Sequence, residues 1–180
     1  MPTRYSTGAI VLHWAIAIMV IINWRIAESA EHASRAARAE IMANHMATGM
    51  LILLLTLARL LWRMSHTQPA FSQTLKPWEA TLARIVHIVF YVLLVGLPLM
   101  GWIGTSIEGE AIDVFGWFTI PGLPLAHDRR TGHEILELHG VLGQVMLYLI
   151  VLHVLGALKH HFVDKNGELY RMLPIGRPKG

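Results

Sequence analysis

The stretch Ile135 to Phe162, ILELHGVLGQVMLYLIVLHVLGALKHHF, decides the architecture. Between Glu137 and Lys159 it carries no acidic or basic residue apart from histidine. Crossing the hydrocarbon core of a bilayer, about 30 Å thick, takes about 20 residues of apolar helix, and this run is long enough. Its interruptions are His139 and His153, 14 residues apart. In an α-helix that spacing is about 21 Å of rise and returns the second side chain to within about 40° of the first. One helix face therefore presents two imidazoles at two depths.

Upstream, three more runs meet the same length requirement, roughly 8–27, 41–63 and 80–106 against 135–162 for the first. The first two are each broken only by a histidine, an asparagine or a late arginine. Pro98 lies inside the third, where packed membrane helices accept a kink that a soluble helix would not. With 54% hydrophobic and 15% charged residues in 180, the chain is too apolar for an ordinary soluble domain. The expected fold is all-α, an integral membrane bundle of four helices filling residues 1–180 as a single domain. No internal repeat or low-complexity tract divides it.

The formal net charge of +3 does not point to nucleic acid, because the cations cluster beside the apolar runs and form no basic stripe. They fit a membrane surface. Arg4, Arg59, Arg63, Lys76, Arg84, Lys159, Lys165, Arg171, Arg177 and Lys179 make ten on one side of the four runs. Arg25, Arg35, Arg38, Arg129 and Arg130 make five on the other, interspersed with Glu28, Glu31, Glu40, Glu108, Glu110, Asp113, Asp128 and Glu134. Lysine and arginine accumulate on the cytoplasmic side, so both termini are expected there. Arg4 before an apolar run has the look of a secretory signal, but no small-x-small cleavage site follows, and retention of the first run is expected. Trp14, Trp24, Trp62, Trp78, Trp102 and Trp117 fall near the expected span ends, the usual interfacial belt.

Absence of cysteine excludes disulfides, thiolate metal sites, iron–sulfur clusters and covalent haem attachment. Eleven histidines in so apolar a chain are the reverse case, since ionisable residues inside a bilayer are costly and tend to serve function. His13 near the cytoplasmic start of the first run is level with His153, and His45 near the outer start of the second is level with His139. A porphyrin lying against a helix needs room one turn from its ligand, and each of the four has a small residue four positions on: Ala17, Gly49, Gly143 and Ala157. Such pairs suit two non-covalent haem b groups, one above the other, with iron held by His13 and His153 on the cytoplasmic side and by His45 and His139 on the outer side. His87 has Tyr91 in that position and is expected not to ligate. Zinc is the weaker reading, because a helical i, i+4 histidine pair is lacking. His32, His66, His127, His133 and His161 fall in loops or at ends, where solvated histidine is ordinary.

Two further residues keep two readings each. His160 lies seven residues past His153, about 10 Å further toward the cytoplasm and within about 20° of the same face. It reads either as a hydrogen-bond and proton donor to a quinone or as an interfacial residue snorkelling beside Lys159. Arg59, 14 residues after His45, reads either as a partner of the inner haem propionates or as a lipid-headgroup contact.

Taken together, Arg4-Tyr5-Ser6, Leu12-His13-Trp14, Asn44-His45 with Gly49, Ala58-Arg59-Leu60 through Arg63, His87, Tyr91, Leu97-Pro98 and Gly101 resemble the bacterial cytochrome b561 family. His139, His153, His160-His161 and the closing Leu169-Tyr170-Arg171-Met172-Leu173-Pro174 extend the resemblance over nearly the whole chain. It implies a di-haem cytochrome of the bacterial inner membrane, with His13 paired to His153 and His45 to His139. Family members described as superoxide oxidases take electrons from superoxide at the periplasmic face and reduce ubiquinone, with the quinone near the residue matching His160. The resemblance implies the same oxidoreductase activity here. The alternative is an electron-transfer or anchor subunit linking quinone to a partner redox protein, for which the acidic outer connection from Glu108 to Glu134 offers a docking surface. Glu28, Glu31 and Glu40 offset the outer arginines, which weakens electrostatic attraction of superoxide.

Overall fold

The structure, a computed structural model, describes residues 4–70 and 75–174. Four long helices, α1 (Thr7–Glu31), α2 (Arg35–Ser65), α3 (Pro77–Glu108) and α4 (Arg129–Phe162), are each long and apolar enough to cross a membrane. They run past the apolar stretches because hydropathy does not register a polar first turn. Ser34 caps α2, its Oγ accepting from the Ala37 amide (3.4 Å). Asp128 caps α4, accepting from the Arg130 amide (3.0 Å) and the Thr131 hydroxyl (2.7 Å). At the start of α3 the Lys76 amide donates to the Glu79 carboxylate (3.0 Å), and Pro77 follows at the first helical position. Pro98 leaves α3 unbroken.

The helices pack as two pairs, α1 on α2 and α3 on α4, joined through α2 and α3. Against α1 and α2, by contrast, the α4 backbone makes hardly any close approach. Ile16, Val20 and Ile52 form the buried core, with Met19, Leu55, Leu94, Met146 and Ile150 around them. Met146 lies midway between His139 and His153, so this core separates the two histidine levels. Outward-facing Val11, Ile18, Leu54, Ile88, Val92 and Leu152 are exposed, as expected where the surrounding solvent is lipid.

The connection from α3 to α4, expected from the sequence only as an acidic loop, contains a hairpin. β1 (Ile112–Val114) pairs antiparallel with β2 (Phe118–Ile120), Ile112 opposite Ile120. Phe115 (φ 54°) and Gly116 (φ 72°) turn the chain in the left-handed region, and Asp113 accepts from the Gly116 amide (2.8 Å). Ile112, 2% exposed, anchors β1, which packs on α2.

At the opposite end the N-terminal segment, the α2–α3 connection and the chain after α4 are clasped together. The Tyr5 amide donates to the Arg171 carbonyl (3.3 Å), Trp14 to the Met172 carbonyl (2.8 Å) and Arg4 to the Leu173 carbonyl. Arg171, at the end of a short 3-10 turn (Glu168–Arg171), reaches the Ala70 carbonyl (2.6 Å). Arg177 and Lys179, counted above among the cytoplasmic cations, lie outside the described residues.

Candidate functional site

At the outer level His45 of α2 faces His139 of α4, their ring centres 5.9 Å apart. His45 Nδ1 lies 3.1 Å from the Asn23 carbonyl, and His139 Nδ1 lies 2.9 Å from the Leu97 carbonyl. A carbonyl only accepts, so each ring donates from Nδ1 and keeps the lone pair on Nε2. That is the tautomer in which metal-binding histidines are held by their surroundings. Gly101 lies beside the His139 ring, where a Cβ would stand in van der Waals contact, 3.7 Å from Cε1.

At the inner level His13 of α1 faces His153 of α4, with ring centres 6.4 Å apart. His87 of α3 comes as close, 5.6 Å from His153, and Phe90 lies 5.4 Å away. His87 is thus at the depth of the inner level, and Tyr91, expected to take the place a porphyrin would need beside it, is turned toward Arg59. Its hydroxyl accepts from Arg59 Nε (3.1 Å), while Arg59 also donates to the Ala9 carbonyl (3.4 Å). Arg59 thus turns into the bundle, one turn before His13, and not outward to lipid headgroups.

Whether these residues fit a haem can be tested on the geometry. Two imidazoles sharing one metal, each with a bond of roughly 2 Å and about 1 Å more to the ring centre, stand about 6 Å apart. Both facing pairs have that separation. A porphyrin also needs helices that stand apart, and α4 is distant from α1 and α2 while it packs directly on α3. Nothing lies within 4 Å of a Cβ placed on Gly143, one turn past His139. Beside Gly49 stands only Asn23, whose buried side-chain oxygen has no partner. Room and unmet polar capacity therefore occur next to the histidines, and the residues fit the group.

Beyond the inner level, His160 Nδ1 lies 2.6 Å from the Asp164 carboxylate. Lys159 bridges Asp164 (2.7 Å) and the buried Glu79 (2.6 Å). The Lys159 ammonium holds the Asp164 carboxyl below its usual range, with His160 acting in the same sense against partial desolvation. Glu79, His160 and Asp164 have metal-ligand chemistry and lie close together, but the Lys159 ammonium is already bonded to both carboxylates. On the outer surface Arg25 pairs with Glu28, and Arg130 pairs with Glu134 (3.0 Å). Glu108, Glu110, Arg129 and His133 surround a depression of about 380 Å³ there.

Side-chain patterning identified the four facing histidines, Arg59 and His160, but not what stands behind them. The Asn23 and Leu97 carbonyls are main-chain atoms and leave no trace in residue type. Asp164 did leave one, since it follows His160 by four residues and so shares its helical face. Glu79 comes from another helix, and only the fold brings it in.

The family profile described as prokaryotic cytochrome b561 matches residues 4–174. "Cytochrome b561 homolog 2" of Escherichia coli (strain K12) is 31% identical over 177 residues, covering 96% of this chain and 92% of the relative. "Probable superoxide oxidase CybB" of Yersinia pestis is 29% identical over 181 residues, covering 98% and 99%. "Cytochrome b562" of Cereibacter sphaeroides is 27% identical over 178 residues, covering 94% of each. The chain belongs to the prokaryotic cytochrome b561 family and is a membrane cytochrome of b type.

Proposed function

We propose that this chain is a di-haem oxidoreductase of the bacterial inner membrane that takes electrons from superoxide at the periplasmic face and reduces ubiquinone. The observation that carries the reading is the two facing histidine pairs at two depths, His45 with His139 and His13 with His153, each at the separation of two imidazoles sharing a metal. His87 is left as a neighbour of the inner site, because α3 packs against α4 too closely to admit a porphyrin between them. The relative named as a probable superoxide oxidase supports the choice of donor.

Haem b held at these levels supplies one-electron redox chemistry within the membrane. The chain's own residues do the rest. His45 and His139 would hold the outer haem between them, so superoxide would give up its electron at the outer face without itself becoming a ligand. Two superoxide ions each lose one electron and leave as dioxygen. Ubiquinone takes two electrons and two protons to become ubiquinol. His160, with Nδ1 against Asp164, would when protonated on both nitrogens donate from Nε2 to a quinone carbonyl and pass that proton to it. Arg59, turned inward beside His13, is positioned to pair with a propionate of the inner haem.

A second reading has an observation of its own. Because Arg25 and Arg130 are each spent on a carboxylate, the outer face offers an anion less than its arginine count suggests. An electron-transfer subunit, supplied at that face by a basic periplasmic redox protein, would use the same haems and quinone. Addition of superoxide to the purified protein, with and without ubiquinone, separates the two. Rapid haem reduction followed by ubiquinol formation is the expected result; haem that stays oxidised until a partner protein is added would establish the subunit. His160→Ala should leave both haem spectra nearly intact and slow quinone reduction by roughly a hundredfold, the usual scale of a lost acid–base group. Reoxidation by quinone at the parent rate would remove His160 from the site.

A further inference from the structure

The two histidine levels are alike in ring separation and differ in what stands around the rings. At the outer level both Nδ1 atoms donate to main-chain carbonyls, His45 to Asn23 at 3.1 Å and His139 to Leu97 at 2.9 Å. At the inner level, among the described residues, neither His13 nor His153 has a hydrogen-bond partner. Charge is distributed the other way. Arg59 reaches the Ala9 carbonyl, one turn before His13, and the Tyr91 hydroxyl, one turn after His87, while 41–49 around His45 and 135–143 around His139 hold no lysine or arginine.

These differences have consequences of known sign for any iron the rings hold. An imidazole whose N–H is bonded to a carbonyl becomes a more basic, more electron-donating ligand, which favours the oxidised metal. A fixed positive charge nearby disfavours the more positive oxidation state and so favours the reduced metal. The carbonyls act at one level and the guanidinium at the other, so the two effects add.

We propose that the Asn23 and Leu97 carbonyls, together with Arg59, make the inner site the one of higher potential, so that an electron arriving at the outer level passes inward unaided. The inference rests on the two-haem reading above. In the step, the outer iron is oxidised by one electron and the inner iron reduced by one; no bond breaks and no proton crosses. Asn23, Leu97 and Arg59 are positioning residues, since they act through the ligands and the local field.

An equilibrium redox titration of the holoprotein, followed optically, tests this. Two waves are expected in the parent. His139→Ala should keep only the higher and His153→Ala only the lower. Arg59→Gln should move the higher wave downward and leave the lower in place, reducing the ratio of inner-reduced to outer-reduced protein at half reduction by roughly tenfold. Arg59→Lys should restore most of the ratio, which a purely structural role for Arg59 would not predict. In the half-reduced parent, a membrane-impermeant paramagnetic ion added at the outer face of oriented vesicles should relax the remaining ferric signal. That last measurement needs no variant. A lower wave surviving in His139→Ala, or a ferric signal insensitive to the outer probe, overturns the proposal. One haem per chain, or either histidine variant keeping both, would instead overturn the assignment of the sites on which it rests.

Discussion

Single residues carry the chemistry here, and they do so by pairing. Replacing His45 or His139 with alanine should remove one haem and leave the other, and His13 or His153 should do the converse, so a pyridine haemochrome assay falls from about two haems per chain to one. Loss of both from every variant would mean that the levels are not independent. Asp164 permits a different test. The Lys159 ammonium depresses its carboxyl below the ordinary 3.8. The charged carboxylate therefore contributes stability at every pH above that ordinary value, and the contribution fades as pH falls through the lower, folded one. Asp164→Asn should melt below the parent near neutrality, and the two melting curves should converge as the pH falls below the ordinary carboxylate range. Curves that stay parallel throughout that acid range would show that the ion pair contributes nothing.

For elements, what the sequence made legible follows from which forces act on residue type. Four helices were readable because exclusion from water acts on every residue of a span, and α4 was the plainest, with His139 and His153 the only polar interruptions of its apolar stretch apart from Gln144 and Tyr148. Helix ends were less legible, since the Ser34 and Asp128 caps depend on one hydrogen bond or two each. The β1–β2 hairpin was missed altogether: three residues a strand give no periodicity, and Phe115 is a poor advertisement for a left-handed turn. In the site, ligand spacing was legible while the carbonyls behind the rings were not. The room beside the ligand was legible too, in Gly143, and it can be tested on the element. No described atom lies within 4 Å of a Cβ placed there. Gly143→Leu should raise the helical stability of α4, a leucine being favoured over glycine by up to about 1 kcal/mol. It should nonetheless exclude the outer haem and spare the inner. A variant that keeps both haems would show that the porphyrin does not lie along this face.

On the scale of the whole molecule, charge is expected to set direction across the membrane, and the clasp at one end fits that expectation. The N-terminal segment, the α2–α3 connection and the chain after α4 hold one another through Tyr5, Trp14, Arg4 and Arg171. Helices crossing an even number of times return to the side they left, and a clasp of these three segments requires that they share a side. That side carries ten of the fifteen lysines and arginines, Arg177 and Lys179 among them. Truncation after Pro174 removes those two, leaving eight against five, still a cytoplasmic excess. A fluorescent protein fused at the truncated terminus should therefore fold and fluoresce in the cytoplasm, and alkaline phosphatase inserted at the hairpin turn, between Phe115 and Gly116, should be active outside. That outcome would put His45 and His139 nearer the periplasm and His160 nearer the cytoplasm, where the proposed quinone protonation would draw on cytoplasmic water. The reverse pattern of reporters would turn the proposed electron path around, leaving the lower-potential histidine level facing the cytoplasm and His160 facing out.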